Sequence, residues 1–229
     1  MQDRPLHPWS LTPKEAARVQ TELSGRLVHS WDERDVVTVG GIDVSVKDDL
    51  SRAAIVILSF PQLEPLTGVT AEAPTPFPYV PGLLTFREGP VVLDAWARLE
   101  RKPDLVLFDG QGIAHPRSMG IAAHMGLWLG IPTIGCAKSR LYGRYEEPGI
   151  MKGDASALVD ERDPERAIGS VLRTRARVKP LFVSPGHLID LDTAVAFTLE
   201  CCDRYRLPEP TRWAHRVAGG ACLLDASES

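Results

Sequence analysis

Cysteine is scarce in this chain, with four among 229 residues, at positions 136, 201, 202 and 222. No two of them have the paired spacing of a zinc site, and so few thiols do not make a disulfide framework. They are expected as small buried residues of a protein in the reducing cytoplasm. Long apolar runs are missing too. The nearest, 120–137, is broken by His124, Gly126, Gly130 and Pro132, so no membrane span and no secretory leader are expected. Basic residues are not in excess: the formal net charge is −4. That argues against a bulk polyanion binder, but leaves room for a local basic groove around an acidic centre. Repeats and low-complexity tracts are absent as well, and one domain over 1–229, acting as a monomer, is the expectation.

What is present centres on 104–138. The run from Asp104 to Phe108 is short, apolar and β-rich, and it delivers Asp109 to a loop holding Gly110, Gly112 and His115. Ser118 is placed to cap a helix carrying Ile121, Met125, Trp128 and Leu129, which Gly130 and Pro132 stop. A second strand over 132–137 ends at Lys138. Such a strand-helix-strand unit makes parallel neighbours, and chemistry gathers beyond the carboxyl ends of those strands. Asp109, His115 and Lys138 all fall there.

Elsewhere, Thr12-Pro13-Lys14-Glu15 has the form of a capping box opening a packing helix to about residue 23. Three β-rich runs (36–46, 52–60 and 63–72), separated by short turns, predict an antiparallel meander with Asp43 inside the first. A proline-rich segment ends at Pro81, and a helix is predicted over 82–100 with Glu88 on its inward face. Gly89-Pro90 is a point where that helix would kink or restart. The segment 140–162 is polar and carries no clear pattern. Two strands are predicted at 167–175 and 178–184, putting Arg173, Arg175, Arg177 and Lys179 on one basic face. A helix over 193–202 capped by Asp190 or Asp192, and a short one from about Thr211 with His215, complete the chain. His124 and His187 are read as packing and loop-shaping residues.

If the fourth strand lies parallel beside the first, Asp43 and Asp109 approach each other and Glu88 reaches in from the intervening helix. Two such charges ~4 Å apart repel by on the order of 4 kcal/mol at an effective dielectric of about 20. A divalent cation resolves the conflict, and all-oxygen ligands suit Mg²⁺ or Mn²⁺. Taken singly, each residue has a plainer reading: a turn aspartate, a strand-edge residue, a solvated helix residue.

Five collinear motifs make the resemblance specific: Gly41-Ile-Asp43-Val44, Pro78 to Glu88, Phe108 to Arg117, Pro132 to Lys138, and Pro208 to Trp213. Together they resemble the endonuclease V (deoxyinosine 3′-endonuclease) family over nearly the whole chain. The resemblance implies a ribonuclease H-like α/β fold, a mixed sheet of an antiparallel three-strand meander plus parallel strands, flanked by helices. It implies Mg²⁺-dependent DNA repair: hydrolysis of the second phosphodiester bond 3′ to deoxyinosine, leaving 3′-hydroxyl and 5′-phosphate ends. By motif, Asp43 and Asp109 are implied metal ligands, with Glu88 joining directly or through water, and Lys138 contacts the scissile phosphate. Pro78, Tyr79, Val80 and Pro81 match a strand-separating wedge. Gly82, Leu84, Gly110, Gly112, His115 and Ile121 match the pocket for the everted base. Gln111 stands where histidine is common in the family, and His215 stands where many members have aspartate, which leaves the general base open. Arg117, Arg140, Arg144 and the basic row are candidates to line the nucleic-acid path. An inosine-specific ribonuclease, a non-catalytic inosine-binding module and a generic metal phosphatase are the alternatives.

Overall fold

The computed structural model describes residues 5–223, so the first four and last six residues of the expected domain lie outside the described part. Helix α1 (Pro13–Ser24) starts as its sequence dictates. The Thr12 hydroxyl accepts from the Glu15 amide, and the Glu15 carboxylate accepts from the Thr12 amide. Strands β1 (Thr38–Lys47), β2 (Leu50–Ser59) and β3 (Pro65–Pro74) form the expected antiparallel meander.

Helix α2 (Leu84–Ala97) leads to β4 (Leu105–Phe108), α3 (Ile121–Leu129) and β5 (Thr133–Ala137). Then come β6 (Ala155–Val159), β7 (Ala167–Leu172), β8 (Leu181–His187), α4 (Leu191–Glu200) and α5 (Glu209–Ala218). The strands make one eight-stranded sheet in the order β3-β2-β1-β4-β5-β8-β7-β6. The pairs β1 with β4 and β4 with β5 are parallel, and the remaining pairs are antiparallel. Among the described residues, no helix is long and apolar enough to cross a membrane.

The sheet is covered on both faces, and side-chain alternation divides its residues between two cores. Val39, Val56, Leu107 and Ile134 pack with Ala194 of α4 and Val217 of α5. Ile42, Ile55, Val106 and Phe108 pack with Val91 and Val92 of α2 and Met125 of α3. Each such side chain, fully buried, contributes roughly 1.5–3 kcal/mol. Glycine decides how closely α5 approaches. A Cβ on Gly41 would lie 1.8 Å from the Pro210 carbonyl oxygen, so the start of α5 rests directly on β1.

Several local expectations are corrected. Gly120, with no side-chain cap, precedes α3 in place of Ser118, which sits in a left-handed backbone conformation at φ 50°; a Cβ on Gly120 would meet the Gln111 carbonyl oxygen at 2.3 Å. One helix runs through Gly89-Pro90 without a restart. The segment 140–162 contains β6, which pairs with β7. Asp190 caps α4 as one of the two expected residues, but the helix starts at Leu191 and ends at Glu200, and α5 begins at Glu209, before Thr211. Cys222 is exposed, unlike the other three cysteines.

The basic row is not a strand face. Arg173 to Lys179 form the turn between β7 and β8, and Arg173 points inward. Its guanidinium donates to the carbonyls of Gly149, Pro148 and Val178 and pairs with Glu147. Those carbonyls lack ladder partners, and this satisfies them.

Candidate active site

The β1–β4 register places Ile42 opposite Phe108, so Asp43, inside β1 where it pairs with Ala54 of β2, and Asp109, just past the end of β4, stand side by side. Both side chains are largely buried, at 14% and 15% exposure. Asp109 is salt-bridged to the Lys138 ammonium beyond β5, and Asp43 accepts from or pairs with His215 Nδ1 of α5 at 2.9 Å. The short step from Pro210, seated on Gly41, to His215 is what brings the imidazole to the carboxylate.

Glu88 shares their electric field. Burial first, and then the charges of Asp43 and Asp109 against the opposing Arg87, push its carboxyl up to about 8. Asp109 is also raised, chiefly by burial, with the Lys138 hydrogen bond opposing. The three acids expected to converge are therefore electrostatically joined. Among the described residues, however, no three His, Cys, Asp or Glu side chains stand in a ready metal-holding group. Asp43 and Asp109 are turned to His215 and Lys138 instead.

The donor set nevertheless fits a hard divalent cation. Its donors are carboxylate oxygens, and a carboxyl held near 8 by burial and two anionic neighbours needs added positive charge to ionise fully at neutral pH.

Beside the acids lies a pocket of about 320 Å³, whose lining includes both Asp109 and Lys138. Tyr79, Val80 and Pro81 stand at it with Gly82, Leu84, Gly110, His115 and Ile121. Tyr79 is 70% exposed, the posture of a side chain offered outward, and Pro78 is exposed without lining the pocket. Gly112 is a correction: it lies behind the wall, where a Cβ would meet the Pro185 carbonyl oxygen at 2.1 Å. Its amide donates to Ser184 Oγ. Gly110 does face the pocket, and a Cβ there would press on Ile121 at 2.5 Å.

His115 holds the rim. Its Nδ1 accepts from the Arg117 amide at 3.1 Å, so Nε2 carries the proton and donates to the Gly82 carbonyl at 2.9 Å. Burial lowers its pKa to about 4, so the ring is neutral. The same carbonyl accepts from Gln20 Nε2 and Arg117 Nη2, both at 3.0 Å, while Arg117 Nε donates to Gln20 Oε1. Arg117, expected on the nucleic-acid path, is thus committed to the pocket frame.

Gln20 was missed in the sequence, where α1 read as a packing helix. The available signal was a polar residue between Ala16 and Leu23 on the buried stripe. His124 is buried as expected and hydrogen-bonded to His7. His187 Nδ1 accepts from the Val28 amide and shapes that loop.

Gln111 also lines the pocket and is 8% exposed. Its Nε2 donates to the Ser139 carbonyl at 2.9 Å, which fixes the amide and leaves the buried Oε1 with no partner among the described residues. A larger groove of about 560 Å³ lies between α4, α5 and the β2–β3 turn. It does not adjoin the acids, and its Arg212 is already paired with Glu209.

A mixed sheet with one carboxylate inside its central β1 strand, a second just past the end of the parallel neighbour β4, a lysine at the end of a third strand and helices on both faces defines a ribonuclease H-like protein with an acidic centre. The chain belongs to the Endonuclease V family, which matches it over residues 21–216. It is 49% identical over 215 residues to the endonuclease V of Nostoc sp., covering 93% of this chain and 96% of that one. The crystal structure of the Streptomyces avermitilis endonuclease V superposes with a TM-score of 0.87 at 43% identity, covering 96% of both chains. The Ciona intestinalis endonuclease V (TM-score 0.80, 27% identity) covers 91% of this chain and 97% of its own; that protein was crystallised with DNA containing an inosine followed by a ribo-adenosine.

Proposed function

We propose that this protein nicks DNA containing deoxyinosine, hydrolysing the second phosphodiester bond 3′ to the lesion and leaving 3′-hydroxyl and 5′-phosphate ends. The observation that carries the reading is that the pocket and the acidic centre are continuous, sharing Asp109 and Lys138. A base held in one therefore places its own strand against the other. The inosine-containing DNA bound by the Ciona relative supports the same substrate.

Tyr79, carried between Pro78 and Pro81, enters the base stack and offsets part of the unstacking cost. The everted hypoxanthine meets backbone at Gly82 and Gly110, where no Cβ stands off the base edge. Gln111 Oε1, an acceptor without a partner, receives the N1–H of the lactam. Hypoxanthine lacks guanine's 2-amino group, so a close wall at that edge would exclude guanine.

Asp43 and Asp109, with Glu88, would hold Mg²⁺, or Mn²⁺ in its place, which would supply charge for the transferring phosphate and a more acidic water. Lys138, paired with Asp109 at the pocket, is the ammonium that would meet the scissile phosphate. His215, 65% exposed with its Nδ1 beside the Asp43 carboxylate, is the side chain on α5 that stands nearest the acidic centre to handle a proton.

The test is nicking of matched inosine- and guanine-bearing oligonucleotides with Mg²⁺ and with chelator. Cleavage confined to inosine with Mg²⁺ is expected; equal cleavage of both, or cleavage in chelator, rejects the reading. Because the Ciona complex places a ribonucleotide after the inosine, inosine RNA is the second substrate to assay in parallel.

A further inference from the structure

One arginine outside the expected site lies directly behind Lys138. Arg206 belongs to the segment joining α4 to α5, and its Nη2 donates to two carbonyls, Lys138 at 2.6 Å and Pro180 at 2.7 Å. These two residues flank the open end of the β5–β8 pair, whose last rung is Ala137 opposite Phe182. Pro180 has no N–H with which to extend the ladder, so the guanidinium closes what the backbone cannot.

Arg206 is itself fixed from behind. Its carbonyl accepts from Thr174 Oγ1 at 2.6 Å and from Cys202 Sγ at 3.8 Å. Its Nε is buried and without an acceptor among the described residues, a costly arrangement for a mere strut. Burial lowers its pKa while the Asp109 carboxylate opposes that, so its charge also reaches the acidic centre.

We propose that Arg206 is a positioning residue for Lys138: by clamping the carbonyls of Lys138 and Pro180 it sets the direction in which the lysine ammonium leaves the sheet. This rests on the nuclease reading, in which that ammonium serves the scissile phosphate. Its direction is decided at the Lys138 backbone, because a flexible four-carbon stem cannot hold one pose unaided. Loss of the clamp lets the strand end swing, and the ammonium with it.

The experiment is single-turnover cleavage of inosine DNA at saturating enzyme, with binding measured separately, for wild type, Arg206→Ala, Lys138→Ala and the double variant. Arg206→Ala is expected to slow cleavage on the order of 100-fold, as ångström-scale misplacement does, with affinity little changed. Added guanidinium ion should restore part of the rate, and equal sodium chloride should not. The double variant should be no slower than Lys138→Ala. Wild-type rates in Arg206→Ala, or losses that multiply in the double variant, overturn the assignment. If Arg206→Ala melts below the assay temperature, Arg206→Lys carries the same comparison. A wild-type protein that leaves inosine DNA intact removes the nuclease reading and this role with it, whereas an active wild type with multiplying losses removes only the role.

Discussion

His215 and Asp43, 172 residues apart in sequence, meet with Nδ1 and carboxylate oxygen 2.9 Å apart. The contact depends on Gly41, two residues before Asp43, because only a residue without a Cβ lets the Pro210 carbonyl rest on β1. Gly41→Ala should lift α5 off the sheet, costing about 1–3 kcal/mol or more in urea denaturation and removing nicking. Wild-type stability together with wild-type cleavage would show that α5 does not need this close seat.

Asp43→Ala and Asp109→Ala should each lower the cleavage rate by at least on the order of 100-fold, the scale of losing one charge-stabilising group. The folded state should survive, since each substitution removes one of the buried carboxylates whose charge opposes ionisation of Glu88. Circular dichroism melts and a nicking time course check this, and full activity in either variant would remove that residue from the metal set.

Tyr79→Ala should weaken capture of inosine DNA about tenfold, as loss of a stacking contact worth ~1–3 kcal/mol does. Thermal stability should stay unchanged, because the ring is 70% exposed. Titration of a labelled oligonucleotide measures the first and a melt the second; undiminished capture rejects the wedge.

Gln111→Leu, similar in size but without an acceptor, should cost roughly tenfold in binding inosine DNA, about one hydrogen bond to a buried group. The melting temperature should change little, since removal of the orphan Oε1 offsets the loss of the Nε2 hydrogen bond to the Ser139 carbonyl. A competition titration against wild type decides, and equal affinities would show that Gln111 does not read the base.

Acid should destabilise the protein before its carboxylates titrate in bulk. Burial holds His115 neutral to about 4 in the folded state, against 6.5 for the free side chain. The unfolded chain therefore binds more protons below pH 6.5, so this contribution is complete above that pH and is lost as pH falls toward 4. It reaches up to about 3 kcal/mol for His115. His187, also lowered to about 4 by burial, acts in the same direction. Glu88, pushed up to about 8, acts the other way over the same range, so the histidine contribution is read against His115→Gln. Urea midpoints of wild type should fall more steeply from pH 7 to 5 than those of the variant, and equal slopes would contradict the burial of the His115 ring.

Where local chemistry decided the outcome, the chain was legible. The Thr12 capping box, the meander turns and the paired strands that carry Asp43 and deliver Asp109 follow from residues a few positions apart or from hydrophobic alternation. Long-range polar partnerships were not. The period-two arginines imitate a strand face, yet Arg173 answers to carbonyls 24 and 25 residues away. Gln20 meets Gly82 across 62 positions, a pairing that no pattern within α1 encodes. Gly112 reads like Gly110 until the strand it backs onto, β8, is in place. The Lys138 clamp likewise depends on the α4–α5 segment, whose route no local signal fixes.

The triple grip on the Gly82 carbonyl makes the pocket mouth a cast frame. On the proposed reading, a purine would be gauged against a template already set by α1 and the loop after β4, and adjustment to its strand would fall on the exposed Tyr79 side.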